Sequence, residues 1–472
     1  MRITSDELDR VLGPGAGSSL EHRARTSSKL FVRSIDQLAE ASPLALGRQL
    51  TASEALSAYG WDTLLKVADE GAALLAASPT SAGAALRSRR ELLGLTIRAV
   101  ALAAKVPESV VAACEASKRV SIREYEKVAR AIGLDDRAVS YSFDPSANRD
   151  LAVRLRTIGD ELPPMTASVV AAVAEAAWVA LQQVRLETTM FGQRRSRFAT
   201  DPNYGTSASP AFRVGYQLAG HARDALGLGQ RPIPSLRQLT EEELGIPVIQ
   251  SELGPDIAGV TLEVEGERAI VLNIGSKNRN VFVRRATLAH ELGHLLFDPA
   301  RRLDTLRVDE FDELARSADD VPDPVEQRAN AFSVEFIAPQ RALAKLYAQA
   351  PATAVAEAMN RFGISFTAAR YQLWNALGRS VSPDTLTTRH VQPDPAWDGA
   401  ERYTVDYHPI AAVRPSRAGR FSALVMRAAF EHIISKDTAC EWLECSEEQL
   451  ASAEEGVRDL FPSVWQQPLV SV

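Results

Sequence analysis

The segment "TLAHELGHLLF", Thr287 to Phe297, carries two histidines four positions apart, with a glutamate directly after the first. Residues four apart lie on one face of a helix, so His290 and His294 can bind the same metal ion. Glu291 would lie beside them, where a carboxylate can take a proton from water. The pattern predicts a catalytic zinc site; the alternative is an amphipathic helix that carries two histidines by chance.

The surroundings of this motif favour the metal site. The chain has only 7 histidines, and apolar residues fill the rest of the segment, so we expect the helix to be buried. Two imidazoles and a carboxylate buried without a metal would each need another polar partner. We therefore predict Zn²⁺ as the cofactor.

Catalytic zinc needs a third protein ligand and an open position for water. Phe297 and Ala300 stand where the metzincin pattern requires Gly and His, so that class is excluded. Asp298 shares the histidines' face, but it lies one helical turn too far along the chain to bind a metal held between His290 and His294. The later segment "VEQRANAF" offers Glu326 on a second helix, with Asn330 one turn on to hydrogen-bond a ligand. Other carboxylates remain open as the third ligand: Asp309, Glu310, Asp312, Glu313 and Glu335.

Periodicity predicts a mainly α-helical chain with a small β-sheet. Residues 258–266 and 268–275 alternate or are β-branched, and "EGE" between them predicts a hairpin. The second of these stretches is a candidate edge strand on which an extended substrate could pair. Helices are expected before and after the hairpin, including one over 323–337.

Composition limits the possible partners and location. Hydrophobic residues make up 46% of the chain and net charge is −7, so bulk charge does not draw it to nucleic acid or membranes. Three cysteines indicate a reducing compartment, with Cys440 and Cys445 expected as buried thiols. The most apolar run, 166–184, is expected to be a buried helix rather than a membrane span, and the N-terminus is not a signal peptide. We expect a cytoplasmic protein without a membrane partner.

"FVRRATLAHELGHLLF" followed by "VEQRANAFSVEFIAPQ" resembles the ImmA/IrrE family of zinc-dependent peptidases, over roughly residues 211–345. The resemblance implies an α+β zincin-like core with Glu326 as the third zinc ligand. It also implies a protein substrate: a helix-turn-helix repressor or antitoxin, often encoded next door, whose cleavage switches genes on under stress. Two positions depart from the family pattern: Arg328 replaces a common acid, and Asp298 replaces a common histidine.

Residues 86–134 look like an XRE-type helix-turn-helix, which would give the protein a DNA-binding module. Lys105 stands where such domains usually have Gly in the turn, and the expected recognition helix, "ESVVAACE", has few residues that read base edges. A partner-docking or homodimer interface is the alternative use. The basic residues that could contact phosphates are Arg87, Arg98, Lys118 and Arg119, beside Arg89, Arg90 and Arg123.

These observations predict a sequence of segments along the chain. They are a helical region of unknown function (1–80), the XRE-like module (81–140), a helical connector and loop (141–210), the peptidase core (211–350), a helix-turn-helix-like segment (351–380) and a C-terminal helical region (381–472).

The sequence favours a zinc metallo-endopeptidase that cleaves a protein partner in gene regulation or stress response. One alternative is an XRE-type transcriptional regulator whose peptidase domain is a sensor; another is the protease toxin of a toxin–antitoxin pair. Candidates for stabilising the oxyanion are Tyr347, Tyr371 and His408.

Overall fold

The protein folds as two compact units in a computed structural model. One unit comprises Met1–Gln193 with Thr404–Val472, and the other comprises Arg194–Tyr403. Each contains helices and one four-stranded sheet, so the prediction of a mainly α-helical fold with small sheets is confirmed. The structure describes residues 3–43, 45–75, 80–136, 166–192, 210–264, 267–298, 307–310, 324–382, 385–386, 396–401 and 408–470.

The first 75 residues contain a sheet that the sequence analysis missed, since it expected mostly helices here. The strand order is β3-β1-β2-β4, antiparallel throughout, and the strands pack on the helices through Phe31, Leu38, Leu50 and Tyr59. Strands of three or four residues are too short to show a clear alternating pattern. The elements are α1 Ser5–Leu12, α2 Leu20–Thr26, β1 Leu30–Arg33, β2 Gln37–Glu40, β3 Arg48–Thr51, α3 Ala52–Glu70 and β4 Ala72–Leu74.

The segment predicted as an XRE-like module forms four consecutive helices. Lys105 ends the second of them in the left-handed conformation, with φ 54°, the position where Gly is usual. DNA binding by these helices stays a prediction. Their bounds are α4 Ser81–Leu92, α5 Ile97–Ala104, α6 Glu108–Glu115 and α7 Ile122–Ala131.

Helix α8, Ala167–Phe191, is long and apolar enough to cross a membrane. Within the fold, however, 78% of its most apolar 18-residue stretch is buried. The prediction of a buried helix over 166–184 is therefore confirmed. Of the segment predicted as a helical connector and loop, 141–210, residues 141–165 and 193–209 lie outside the described residues.

Buried charges join the N-terminal sheet to α7. Arg48, on β3, pairs with Glu126 at 2.8 Å and with Asp136 at 3.0 Å, and Arg33 pairs with Glu126 at 3.2 Å. The side chains of all four are 0% exposed. Burial by itself raises the pKa of Glu126, and the arginines oppose that rise. This network makes the XRE-like segment part of a larger unit.

Replacing Glu126 with Ala should reduce the free energy of unfolding by about 3–5 kcal/mol, because two buried guanidinium groups lose their shared carboxylate. Chemical denaturation of the full-length chain measures this change. Glu455→Ala, at an exposed glutamate of the same unit, is the matched control and should have little effect. Equal stability of the two variants would contradict the role assigned to the network.

Residues 404–472, which the sequence analysis placed in a separate C-terminal region, belong to the first unit. Thr438, for example, accepts a hydrogen bond from Arg48 at 3.1 Å. Long-range contacts of this kind leave no signature in local sequence. The helices are α17 Arg420–Phe430, α18 Lys436–Leu443, α19 Glu447–Leu460 and α20 Pro462–Gln466.

The second unit contains a four-stranded sheet, whose strands lie in the order β5-β7-β6-β8. Strands β6 and β7 pair antiparallel from Gly259↔Leu272 to Val264↔Glu267, so the predicted hairpin is confirmed. Strand β7 also pairs in parallel with β5. It is therefore interior, and the prediction that 268–275 is an edge strand is wrong. The strands are β5 Val248–Ser251, β6 Ile257–Val264, β7 Glu267–Asn273 and β8 Arg307–Glu310.

The hairpin leads into helix α11, Val281–Phe297, which carries the HExxH motif. Its N-terminus is capped by the Asn280 side chain, which accepts a hydrogen bond from the Phe282 N–H at 2.9 Å. The other helices of this unit are α9 Ala211–Ala225, α10 Leu236–Gln238 (continued by a π-helical turn, Leu239–Glu243), α12 Pro324–Ile337, α13 Gln340–Gln349, α14 Ala354–Phe362, α15 Phe366–Ala376 and α16 Ala396–Glu401.

Candidate metal centre

Helices α11 and α12 bring three candidate ligands together. The Nε2 atoms of His290 and His294 are 3.0 Å apart. Oε2 of Glu326 lies 3.2 Å from the first of these nitrogens and 3.5 Å from the second. Both imidazoles are buried, and the Glu326 side chain is 13% exposed. The three residues form a group that could hold a metal ion.

Hydrogen bonds at Nδ1 fix the orientation of both imidazoles. Nδ1 of His290 lies 3.0 Å from Oδ1 of Asn330, and Nδ1 of His294 lies 3.0 Å from Oδ2 of Asp298. Amide and carboxylate oxygens accept hydrogen bonds, so each Nδ1 donates its proton. In the neutral imidazoles, both Nε2 atoms therefore direct lone pairs toward Glu326.

This arrangement fits a cation. Lone pairs on two nitrogens and a carboxylate repel one another unless a proton or a metal lies among them. Tetrahedral zinc ligands, at bond lengths of about 2.0–2.1 Å, lie about 3.3 Å from one another, close to the three distances seen here. Burial by itself raises the pKa of Glu326, but when the imidazoles of His290 and His294 are protonated, their hydrogen bonds and positive charge hold it well below its usual range. The carboxylate thus stays an anion that a metal can bind.

Glu291 lies between the HExxH helix and strand β6. It is fully buried, and a Cβ built on Gly259 would lie 2.5 Å from its Oε1. Any side chain at position 259 would collide with the carboxylate. Glycine on the strand therefore provides the space for the candidate general base.

Replacing Gly259 with Ala should reduce the free energy of unfolding by about 1–3 kcal/mol, because the added methyl group overpacks the site. Denaturant titration measures this loss. Gly220→Ala is the matched control, because a Cβ there meets nothing within 4 Å. It should leave stability unchanged or raise it by up to about 1 kcal/mol. A Gly259→Ala protein as stable as the control would contradict the close approach.

Close helix packing also depends on glycine. A Cβ on Gly293 would lie 2.9 Å from the Phe332 ring, and one on Gly215 would lie 2.3 Å from the carbonyl oxygen of Arg328. Helices α9, α11 and α12 therefore approach one another closely at these positions. Glu326 reaches the histidines because of this packing.

None of the other carboxylates that remained open as third ligand is seen beside the two histidines among the described side chains. Glu335 accepts hydrogen bonds from the Gln340 N–H at 3.1 Å and from Nε2 of Gln372 at 2.7 Å, and it does not join the His–His–Glu group. The structure places Asp309 and Glu310 on β8 without describing their side chains, and Asp312 and Glu313 lie outside the described residues.

The candidates for oxyanion stabilisation are spread over the chain. Tyr347 is half-buried against the core of the second unit, and Tyr371 is 49% exposed. His408 belongs to the first unit, where its Nε2 lies 3.0 Å from Oγ of Ser422. No contact of these residues with the candidate ligands appears among the described residues.

The contact of Asp298 with His294 and the packing of Gly259 against Glu291 were not predicted from the sequence. Asp298 follows His294 by four residues, and this spacing was a usable signal for a hydrogen-bond partner. Gly259 gave no local signal, because its neighbour Glu291 lies far along the sequence.

Burial raises the pKa of Glu335 to about 7, against the opposing effects of the Gln340 N–H, Arg223 and Gln372. The folded protein therefore binds this proton more tightly than the unfolded chain. The resulting stability is fully present below the unfolded pKa and is lost as pH rises through about 7.

Glu335→Gln cannot ionise, so its unfolding free energy should fall less than that of the wild type between about pH 5 and about pH 8, by roughly 1–3 kcal/mol. Denaturation at the two pH values measures the difference. Parallel pH dependence of the two proteins would show that Glu335 ionises normally.

Basic residues of the XRE-like module are largely paired within the chain. Arg90 and Arg87 lie near Glu115, the latter at 3.6 Å, and Arg123 pairs with Asp437 at 2.6 Å. Arg89 is buried. In the described part of the chain, no carboxylate forms an ion pair with Arg98, Lys118 or Arg119. Contact of any of these basic residues with phosphate stays a prediction.

Comparison with known families agrees with the site geometry. A family model, Peptidase_M78, described as the IrrE N-terminal-like domain, matches residues 241–373. No curated protein matched the chain. The matched residues include β5 to β8, the HExxH helix and the Glu326 helix. The match supports a metallopeptidase-type function and the placement of this part of the chain with the ImmA/IrrE peptidases.

Proposed function

We propose that the protein is a zinc-dependent metallo-endopeptidase that cleaves a protein partner. One observation carries the proposal: two imidazole Nε2 atoms and a Glu326 oxygen converge within 3.5 Å, while the hydrogen bonds that both Nδ1 atoms donate direct the Nε2 lone pairs inward. The M78 match adds a peptidase-type function. Two imidazole nitrogens and one carboxylate are a donor set found in catalytic zinc sites.

His290, His294 and Glu326 would hold the zinc. When bound, zinc would act as a Lewis acid on the scissile carbonyl and lower the pKa of water toward neutrality. Glu291 takes the proton from the attacking water and returns it to the leaving amine. Its side chain is fully buried and packs against Gly259 of β6.

The substrate class follows from the resemblance to ImmA/IrrE peptidases. We propose a helix-turn-helix repressor or an antitoxin, often encoded by an adjacent gene, as the partner. Cleavage would then switch on the genes that the partner represses, or release a toxic activity that it restrains. The cytoplasm is the compartment where such a substrate occurs.

The test is to incubate the full-length chain and zinc with the protein encoded next door. Glu291→Gln should retain about one zinc per chain but cleave at least 10²-fold more slowly, because it cannot accept a proton. Glu326→Gln should lose most of its zinc, because a neutral amide replaces the anionic ligand. Metal analysis and electrophoresis measure the two effects.

Glu357→Gln, at an exposed glutamate of the same unit, is the matched control and should behave like the wild type. Wild-type protein that takes up no zinc would end the proposal. Undiminished cleavage by Glu291→Gln would end the assignment of the general base.

A further inference from the structure

The residue that follows the HExxH helix connects the two helices of the metal centre. Asp298 has a side chain that is 0% exposed. Its Oδ2 accepts the hydrogen bond from Nδ1 of His294 at 3.0 Å, and its Oδ1 accepts a hydrogen bond from Nη2 of Arg328. One oxygen therefore contacts α11 and the other contacts α12. A buried carboxylate needs both partners to compensate its charge.

The position of Arg328 is itself fixed. Its guanidinium side chain is 12% exposed, and its carbonyl oxygen lies against α9, where only glycine fits at position 215. Glu326 lies two residues before it on the same helix. Arg328 and Glu326 thus lie within one turn of α12.

We propose that Arg328 is a positioning residue of the metal centre. It holds the Asp298 carboxylate, which in turn holds the His294 imidazole with Nε2 directed toward Glu326. Without Arg328, the Asp298 side chain could rotate away, and the His294 ring would lose its fixed orientation. This inference rests on the metal site in the proposed function and extends it to a residue that contacts neither metal nor substrate.

Zinc affinity of the full-length chain, measured by competition with a chelator, tests the proposal. Arg328→Ala should weaken zinc binding by roughly 10–100-fold, the usual effect of losing a partner behind a metal ligand. Arg328→Lys should recover most of the affinity, because it keeps a charged donor. Arg361→Ala removes an exposed arginine from the same unit and should have no effect.

A double-mutant cycle with Asp298→Asn separates positioning from general loss of structure. In that background, Arg328→Ala should change zinc affinity by less than about 3-fold, because Arg328 acts through Asp298. The visible spectrum of the cobalt-substituted protein should change in Arg328→Ala and stay unchanged in Arg361→Ala, since it reports ligand geometry.

Two outcomes would overturn the positioning role while leaving the metal site standing. One is an equal loss of affinity in both backgrounds. The other is an unchanged zinc affinity and cobalt spectrum in Arg328→Ala, even with reduced thermal stability. Failure of the wild-type protein to bind zinc would instead remove the metal site itself, and with it this inference.

Discussion

The close approach of the HExxH helix and the Glu326 helix is the constraint on which the metal centre depends. A single helix supplies two imidazoles, since residues four apart share a face, but the third ligand must come from a second helix. Gly293 lets the Phe332 ring lie against α11, and Gly215 lets α9 lie against the backbone of α12. Small residues at these contacts bring Glu326 within 3.5 Å of both Nε2 atoms.

The Arg48 network and the candidate metal centre are two different arrangements of buried charge. In the first unit, Arg48 contacts three acidic side chains, Glu54, Glu126 and Asp136. Opposite charges therefore compensate one another within this network. In the second unit, two imidazoles and a carboxylate face one another with lone pairs inward. The first arrangement stabilises a fold, whereas the second favours the uptake of a cation.

Much of the candidate site follows from sequence because helix periodicity determines it. The spacing of His290, Glu291 and His294 fixes their relative placement, and Glu326 and Asn330 are one turn apart on a second helix. The N-terminal sheet could not be predicted in this way. Its strands are short, and Arg33 and Arg48 suggest exposed positions, although long-range partners bury both.

The room for the Glu291 side chain depends on the register of β6. Two asparagine side chains from other parts of the chain hydrogen-bond to β6 and fix this register. Asn273 donates to the carbonyl of Ile257 at 2.6 Å, and Asn278 donates to that of Ala258 at 2.8 Å. Asn278 also accepts a hydrogen bond from Thr287 on the HExxH helix at 3.1 Å. Asn278 thus links strand β6 to the HExxH helix through hydrogen bonds.

A shift of one residue along β6 would move Ala258 or Val260 to the position that Gly259 occupies, and a side chain would then meet the Glu291 carboxylate. The asparagines therefore contribute to the shape of the candidate site. Hydrogen bonds to main-chain carbonyls hold the glycine in register, and the glycine leaves room for the Glu291 carboxylate.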